Sequence, residues 1–379
     1  MEMLKFVYAH INYCIYNEII PHYYRNIFNT LLPYGIVVTY ITTDSTFTGV
    51  GKYAQDIYLL LAPESNIFQF LFNRKFLDSF YEKPYIGFKS PLLNYTMSGL
   101  AFKSGINTIN HTNDIIHITS QTIKPVFKNK NMVITIHDVI PFHRNIENDS
   151  TMENIKQYFI KKYIKEYLKY DNIVTLTSHI KNQLISEFKV NDKNITVIPP
   201  YIPGSFFPMS SKEQLRKELG LPLDKKLILS VSSDQPRKNI PMVKSVMDNL
   251  DSSFKLVRVG IPVGDSITFN DVDTVKINKI YNASDMLFLP TLEEGFGYPV
   301  VEAFKTGLPV LTSNIDVIKE VSNGAALLVN PEELKENVEG IYGIMDNHEY
   351  YVKKGYERAK YYASSTIKEK LISYYNGIL

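Results

Sequence analysis

Short apolar runs alternate with longer amphipathic stretches over most of this chain. The runs at 5–9, 36–41, 115–118, 132–136, 173–177 and 195–198 predict buried strands, and so do those at 227–231, 255–259, 286–289, 309–312 and 326–329. Helical periodicity fills the intervals. Strands that alternate with helices predict an α/β fold with parallel sheets. Between the two sets lies Ile198-Pro-Pro-Tyr-Ile-Pro-Gly-Ser-Phe-Phe-Pro208, which reads as a linker between two α/β halves. In such sheets ligands bind beyond the strand C-termini, so the expected site is the cleft between the halves.

The most informative stretch follows the run at 286–289. It reads Glu294-Gly295-Phe296-Gly297-Tyr298-Pro299-Val300-Val301-Glu302-Ala303-Phe304 and ends at Gly307. Pro299 fits the first position of a helix and Gly307 fits just past its end. A strand, a glycine turn and a helix start aim free backbone N–H groups and the positive helix end at one point, which suits a phosphate. Glu302 sits about one turn into that helix, placed to accept from ribose hydroxyls. Glu294 precedes the turn, near whatever the phosphate carries. The pattern suggests a nucleotide-sugar site.

Four other segments bear on chemistry. Gly49-Val50-Gly51-Lys52-Tyr53-Ala54 follows the strand at 36–41 and is read as a glycine loop approaching a ligand, with the helix at 55–61 after it. It fits the dinucleotide fingerprint only in part, because the stretch from Glu64 to Asp78 reads as loop and helix where a second strand is needed. His137 ends the strand at 132–136, where α/β folds keep their chemistry, and is a candidate for holding a sugar hydroxyl or moving a proton. Arg237 and Lys238 follow the strand at 227–231 and would neutralise a diphosphate leaving group. Asp271-Val272-Asp273 spells a metal-and-nucleotide motif, but in a polar loop, and is read as incidental.

Composition narrows the class. The chain has 379 residues, 45% hydrophobic and 21% charged, long enough for two domains. A net charge of +2 argues against a nucleic-acid binder. Cys14 alone excludes an internal disulfide. The N-terminal residues read as a first strand, not a signal peptide, and no apolar run approaches a membrane span, so a cytoplasmic protein is expected. Residues 155–170 form an amphipathic basic helix. A packed helix with a solvated lysine face is the preferred reading, and peripheral membrane contact is the other.

These motifs, in this order, resemble glycosyltransferase family 4, the retaining GT-B enzymes, and within it a subgroup rich in mannosyltransferases. The resemblance runs from Gly49–Tyr53 through His137–Pro141, Pro236–Asn239 and Glu294–Glu302 to Ser313-Asn314 and Glu320-Val321. It implies two Rossmann-like domains facing across a cleft. The first covers 1–203 and is completed by the C-terminal helix at 365–379; the second, donor-binding domain covers 204–364. Arg237 and Lys238 would bind the donor diphosphate and Glu302 the ribose. Glu294 and the backbone of Gly295, Phe296 and Gly297 would face the transferred sugar and its phosphate. His137 would contact the sugar near the reacting carbon, and Gly49 and Gly51 would let the first domain approach donor and acceptor. Ser232 stands where many members have another arginine, so charge neutralisation leans on Lys238. The implied reaction moves a hexose from GDP-mannose or a UDP-hexose to a hydroxyl of a glycan, glycolipid or glycoprotein, with no metal or other cofactor. Alternatives are a GT-B epimerase or phosphorylase, or an inactive nucleotide-sugar-binding subunit.

Overall fold

The computed structural model describes residues 38–42, 44, 48–61, 65–69, 115–122, 131–143 and 151–379. The strand expected at 5–9 and Cys14 lie outside the described residues. Twelve described strands form two sheets, and all neighbouring pairs are parallel. The first holds β1 (Val38–Thr42), β2 (Ser65–Gln69), β3 (Ile115–Ile118), β4 (Met132–Ile136), β5 (Ile173–Thr175) and β6 (Ile195–Val197), in the order β2-β1-β3-β4-β5-β6. The second holds β7 (Lys226–Val231), β8 (Phe254–Val259), β9 (Ile267–Phe269), β10 (Met286–Leu289), β11 (Val310–Ser313) and β12 (Leu327–Val329), in the order β12-β11-β10-β7-β8-β9.

Helices cover both faces of a parallel sheet, so its strands lose the in-and-out alternation and become apolar throughout. β10 shows this with Met-Leu-Phe-Leu buried at every position. Ile228, Met286, Phe288 and Leu311 pack against Val243, Val246, Ile341 and Ile344 to make the second sheet's core.

Two strands differ from expectation. Residues 65–69, read as part of a loop and helix, form β2, with Val38 of β1 opposite Ser65. Ser65, Asn66 and Gln69 hide it from an apolar count, and it sits at the edge of the described sheet. β9 is also an edge strand, half-buried at all three positions, and too short to show a period.

The chain divides into two units. One runs to Leu176 and takes in Lys181–Pro200 and Lys368–Leu379; the other takes Thr177–Ile180 and Tyr201–Ile367. The proline-rich stretch contains this boundary, but beyond Pro200 it is no loose tether. Tyr201, Ile202 and Phe206 are buried. The Ile202 N–H donates to the Tyr362 carbonyl, and those of Phe207 and Met209 donate to the side-chain oxygens of Asn278 and Asn282. The Lys305 ammonium donates to the carbonyls of Ile202 and Pro203. Helix Ser364–Asn376 begins in the second unit and ends in the first. The basic helix, Thr151–Tyr167, buries Ile160, Tyr163, Ile164 and Tyr167 and leaves Lys162 and Lys165 exposed, as a packed surface helix does.

Candidate functional site

The order of the second sheet sets β7 beside β10, with chain connections leaving in opposite directions from that pair. This is the topological switch point of a doubly wound sheet, where ligands bind beyond the strand ends. The segments leaving β7 and β10 meet there. After β7 comes a 3-10 turn, Pro236–Lys238, then helix Ile240–Asp248. After β10 comes the glycine turn and helix Tyr298–Thr306. The Arg237 carbonyl ties them together, accepting from the Leu292 N–H at 2.7 Å and the Thr291 hydroxyl at 3.0 Å.

The charged side chains form one cluster. Lys238 Nζ donates to Glu294 Oε1 at 2.6 Å and Arg237 Nη1 to Oε2 at 3.2 Å. Arg237 also donates to the Glu293 carbonyl at 3.0 Å and the Gln235 side-chain oxygen at 2.8 Å. The Glu294 side chain is only 6% exposed. The sequence reading gave the cations one partner and Glu294 another. In the structure the carboxylate and both cations are partners of each other, and the cluster keeps one net positive charge.

Gly297 starts the helix at φ 95°, and a Cβ there would lie 2.8 Å from Ile318 Cδ1. The positive φ favours glycine, and a Cβ would also require the Ile318 methyl to shift. The helix begins at Tyr298, so Pro299 holds its second position, not the first. The Phe296 ring is buried, with its centroid 5.3 Å from that of Tyr298 and 5.6 Å from that of Tyr362. Its side chain is therefore a packing anchor, and any ligand contact falls to the backbone of 295–297. Glu302 is buried, and its Oε2 accepts from the Tyr281 hydroxyl at 2.8 Å. Burial, and then the Glu302 charge, raise the Tyr281 hydroxyl well above its usual pKa, so it remains a donor. Tyr281 was invisible in sequence terms, one of 27 tyrosines with nothing to mark it. Asp273 caps helix Thr274–Ala283, accepting from the Lys276 N–H at 2.7 Å. That explains the second carboxylate of the D-x-D as local structure.

In the first unit, Gly49 and Gly51 are not in a loop. They occupy the first turn of helix Gly49–Leu61, whose start is capped by Thr48: its hydroxyl accepts from the Gly51 N–H at 3.0 Å. Gly-Val-Gly hides a helix start because glycine has poor helix propensity. His137 follows β4 and is buried. Its Nε2 lies 2.6 Å from the Thr119 carbonyl, which can only accept, so Nε2 carries the proton and Nδ1 is bare. Its backbone N–H donates to the Gln121 side-chain oxygen at 2.9 Å, and the Tyr53 ring meets the imidazole edge-on at 5.2 Å. Burial lowers the His137 pKa to about 4, opposed by the Thr119 carbonyl, so the ring is neutral at pH 7. Behind it lies a buried polar chain that the sequence did not reveal. Tyr40 and Tyr375 hydroxyls are 3.2 Å apart, and Tyr375 lies 2.6 Å from His117 Nδ1. His117 Nε2 lies 2.7 Å from the Thr135 hydroxyl, which donates to Tyr53 at 3.4 Å.

Known proteins resemble this chain in sequence and in fold. Residues 211–365 match the family of glycosyl transferases group 1. The O-antigen chain mannosyltransferase RfbU of Salmonella typhimurium is 26% identical over 222 residues, covering 54% of this chain and 58% of that protein, so the chain matches little more than half of that relative's length. Sucrose-phosphate synthase from Thermosynechococcus elongatus superimposes with a TM-score of 0.71 at 18% identity, over 90% of this chain and 98% of its own. Anabaena HepE in complex with UDP-glucose does so with a TM-score of 0.69 at 14% identity, over 89% and 98%. No helix among the described residues is long and apolar enough to cross a membrane. With a parallel α/β sheet in each unit and these structural neighbours, the chain has the GT-B fold, and its residues 211–365 are similar to the glycosyl transferases group 1.

Proposed function

We propose that this protein is a retaining glycosyltransferase that moves a hexose from a nucleotide-diphospho-sugar to a hydroxyl of a glycan or glycolipid. The observation that carries the reading is the Arg237–Lys238–Glu294 cluster, set beside a glycine-initiated helix at the switch point of the second sheet. Lys238, Arg237 and the helix start attract a diphosphate and stabilise it as it leaves. Glu302, oriented by Tyr281, accepts from the ribose. Glu294 faces the sugar as positive charge develops at its anomeric carbon. On the front-face route the carbon–oxygen bond to the diphosphate breaks and its electron pair stays with the phosphate oxygen. That oxygen takes the proton of the incoming hydroxyl, whose oxygen bonds to the same face of the sugar. His137, neutral with Nδ1 bare, accepts from a hydroxyl and does not supply a proton at neutral pH.

The side chains named supply the positive potential, so no metal is required in this scheme. A thermal-shift and hydrolysis screen over GDP-mannose, UDP-glucose, UDP-galactose and UDP-N-acetylglucosamine tests it. GDP-mannose is the first candidate, because the relative from Salmonella is named a mannosyltransferase. One of the four should raise the melting temperature and turn over in EDTA with retained anomeric configuration. Failure of all four to bind overturns the donor class; loss of turnover in EDTA overturns metal independence; an inverted product overturns the front-face route.

A further inference from the structure

Arg258 lies on β8 opposite Ser230 of β7, and it is completely buried. Its Nη1 donates to the Ser230 hydroxyl at 2.9 Å, the Ser230 carbonyl at 3.3 Å and the Ser232 hydroxyl at 3.1 Å. Nη2 donates to the Ser232 carbonyl at 3.1 Å, and Nε to the Ile261 carbonyl at 3.2 Å. All of these acceptors are neutral. Burial lowers the guanidinium pKa only to about 10, so it stays charged at neutral pH. A buried charge without an opposite charge is costly, and neutral hydrogen bonds offset that cost only in part. Hydrogen bonds between two strand ends do not in themselves require a charge, since neutral donors make them as well.

The position of the charge supplies a reason for it. Ser232 is the first residue past β7, and the exposed loop it opens leads directly to Arg237 and Lys238. The backbone is closed around the guanidinium on the other side. Gly260 has φ 132°, and a Cβ there would lie 2.2 Å from the Ser232 carbonyl and 3.1 Å from Arg258 Nη2. Strand β8 thus brings a cation to the β7 end, where the loop leading to Arg237 and Lys238 begins.

We propose that Arg258 is a positioning residue of the donor site: it fixes Ser232 and the loop to Lys238, and its unmatched charge is completed by the diphosphate of the bound nucleotide. This rests on the donor reading above. A buried cation at the foot of the loop that carries Arg237 and Lys238 adds positive potential there, which suits a ligand with two or more negative charges better than a nucleoside, which carries none.

Calorimetry on the whole protein with UDP, GDP, the parent nucleosides and inorganic pyrophosphate tests the proposal. Arg258→Gln keeps a hydrogen-bonding side chain and removes the charge. It should weaken the preferred nucleoside diphosphate by about tenfold and leave the nucleoside within about twofold, while Arg258→Lys restores most of the loss. Ser232→Asp works in the opposite direction, because it supplies the missing carboxylate. It should raise the melting temperature and weaken diphosphate binding together, with Ser232→Asn doing neither. A residue that only holds strands together cannot separate stability from affinity in that way. Should Arg258→Gln fail to fold, the Ser232→Asp and Ser232→Asn pair decides. Unchanged diphosphate affinity in Arg258→Gln or Ser232→Asp overturns the proposal, and so does equal loss for nucleoside and diphosphate. Arg258-dependent binding of pyrophosphate, with no nucleoside diphosphate bound, would keep the anion role and remove the nucleotide reading. Wild-type protein that binds neither overturns both.

Discussion

At the scale of single residues, the cluster changes what each substitution should do. Lys238 is held by Glu294 at 2.6 Å, so a diphosphate must share or replace that contact. Lys238→Ala should weaken nucleoside diphosphate binding by about 10–150-fold, the equivalent of roughly 1.5–3 kcal/mol for a charge-assisted hydrogen bond. Glu294→Gln should differ, because it frees two cations from an internal carboxylate. Its affinity for the bare diphosphate should hold or rise while turnover falls, since on the proposed reading the lost carboxylate would face the sugar and act mainly in the transition state. Calorimetry and turnover on both variants check this. Loss of diphosphate affinity in Glu294→Gln as large as in Lys238→Ala would show that Glu294 serves the nucleotide instead.

Two buried histidines among the described residues make a second prediction at this scale. Burial, reinforced by nearby His137, lowers His117 to about 3, and His137 stands at about 4, both below the ordinary 6.5. Unfolded chains take up protons below about pH 6.5, and the folded protein does not until pH 3–4. Stability that is present above the unfolded pKa is therefore lost progressively as pH falls through that window. Melting temperatures between pH 7.5 and 4.5 should drop. In His117→Gln they should begin lower, because the Tyr375 and Thr135 partners lose geometry, and should fall less steeply. An equal slope in both proteins would remove His117 from the account.

At the scale of elements, loops that sit at strand ends carry the candidate chemistry, and helix starts shape it. Gly297→Ala should cost roughly 1–3 kcal/mol of stability, since φ is positive and the Ile318 methyl must move aside for the new one. It should also weaken diphosphate binding, because the first turn of the helix must move. Asp273→Ala should cost only ~1 kcal/mol, the usual loss of a cap, with turnover unchanged. Chemical denaturation and initial rates distinguish the two, and a large loss of turnover in Asp273→Ala would revive the D-x-D as a functional motif.

The same scale shows what the sequence could convey. Central strands such as 115–118, 132–136 and 286–289 were legible to the residue, because burial on both faces leaves continuous apolar runs. Edge strands β2 and β9 were not, because β2 carries Ser, Asn and Gln among its five residues and β9 is only three residues long. Glu294, Glu302, Arg237 and Lys238 were legible as residues, since strand, glycine turn and helix start follow one another directly. Their mutual pairing was not, because Lys238 and Glu294 meet only when β7 and β10 become neighbours. Arg258 could have been noticed as a charge inside an apolar strand, and Tyr281 could not.

At the scale of the whole molecule, the last helix links the two units by chain connectivity. Helix Ser364–Asn376 begins among second-unit residues, and from Lys368 onward it belongs to the first. Ile367, Leu371 and Tyr375 are completely buried, spaced to line one face of the helix. The Tyr375 hydroxyl is the group that satisfies His117 Nδ1, at 2.6 Å. Tyr375→Phe removes that partner and leaves a buried acceptor unpaired, a loss of about 1–3 kcal/mol. The loss belongs to the first unit, because Tyr40, His117, Thr135 and Tyr53 all lie there. On the proposed reading nucleotide binds to the second, where a nucleoside diphosphate at 100 times its Kd should add about 2.7 kcal/mol. Calorimetric melting with and without nucleotide can therefore identify each unit's transition before the variant is examined. Tyr375→Phe should lower the transition that the nucleotide does not raise, and leave the shift of the other unchanged. A single transition that responds to both would mean that the two units unfold as one cooperative body and that their stabilities cannot be assigned separately.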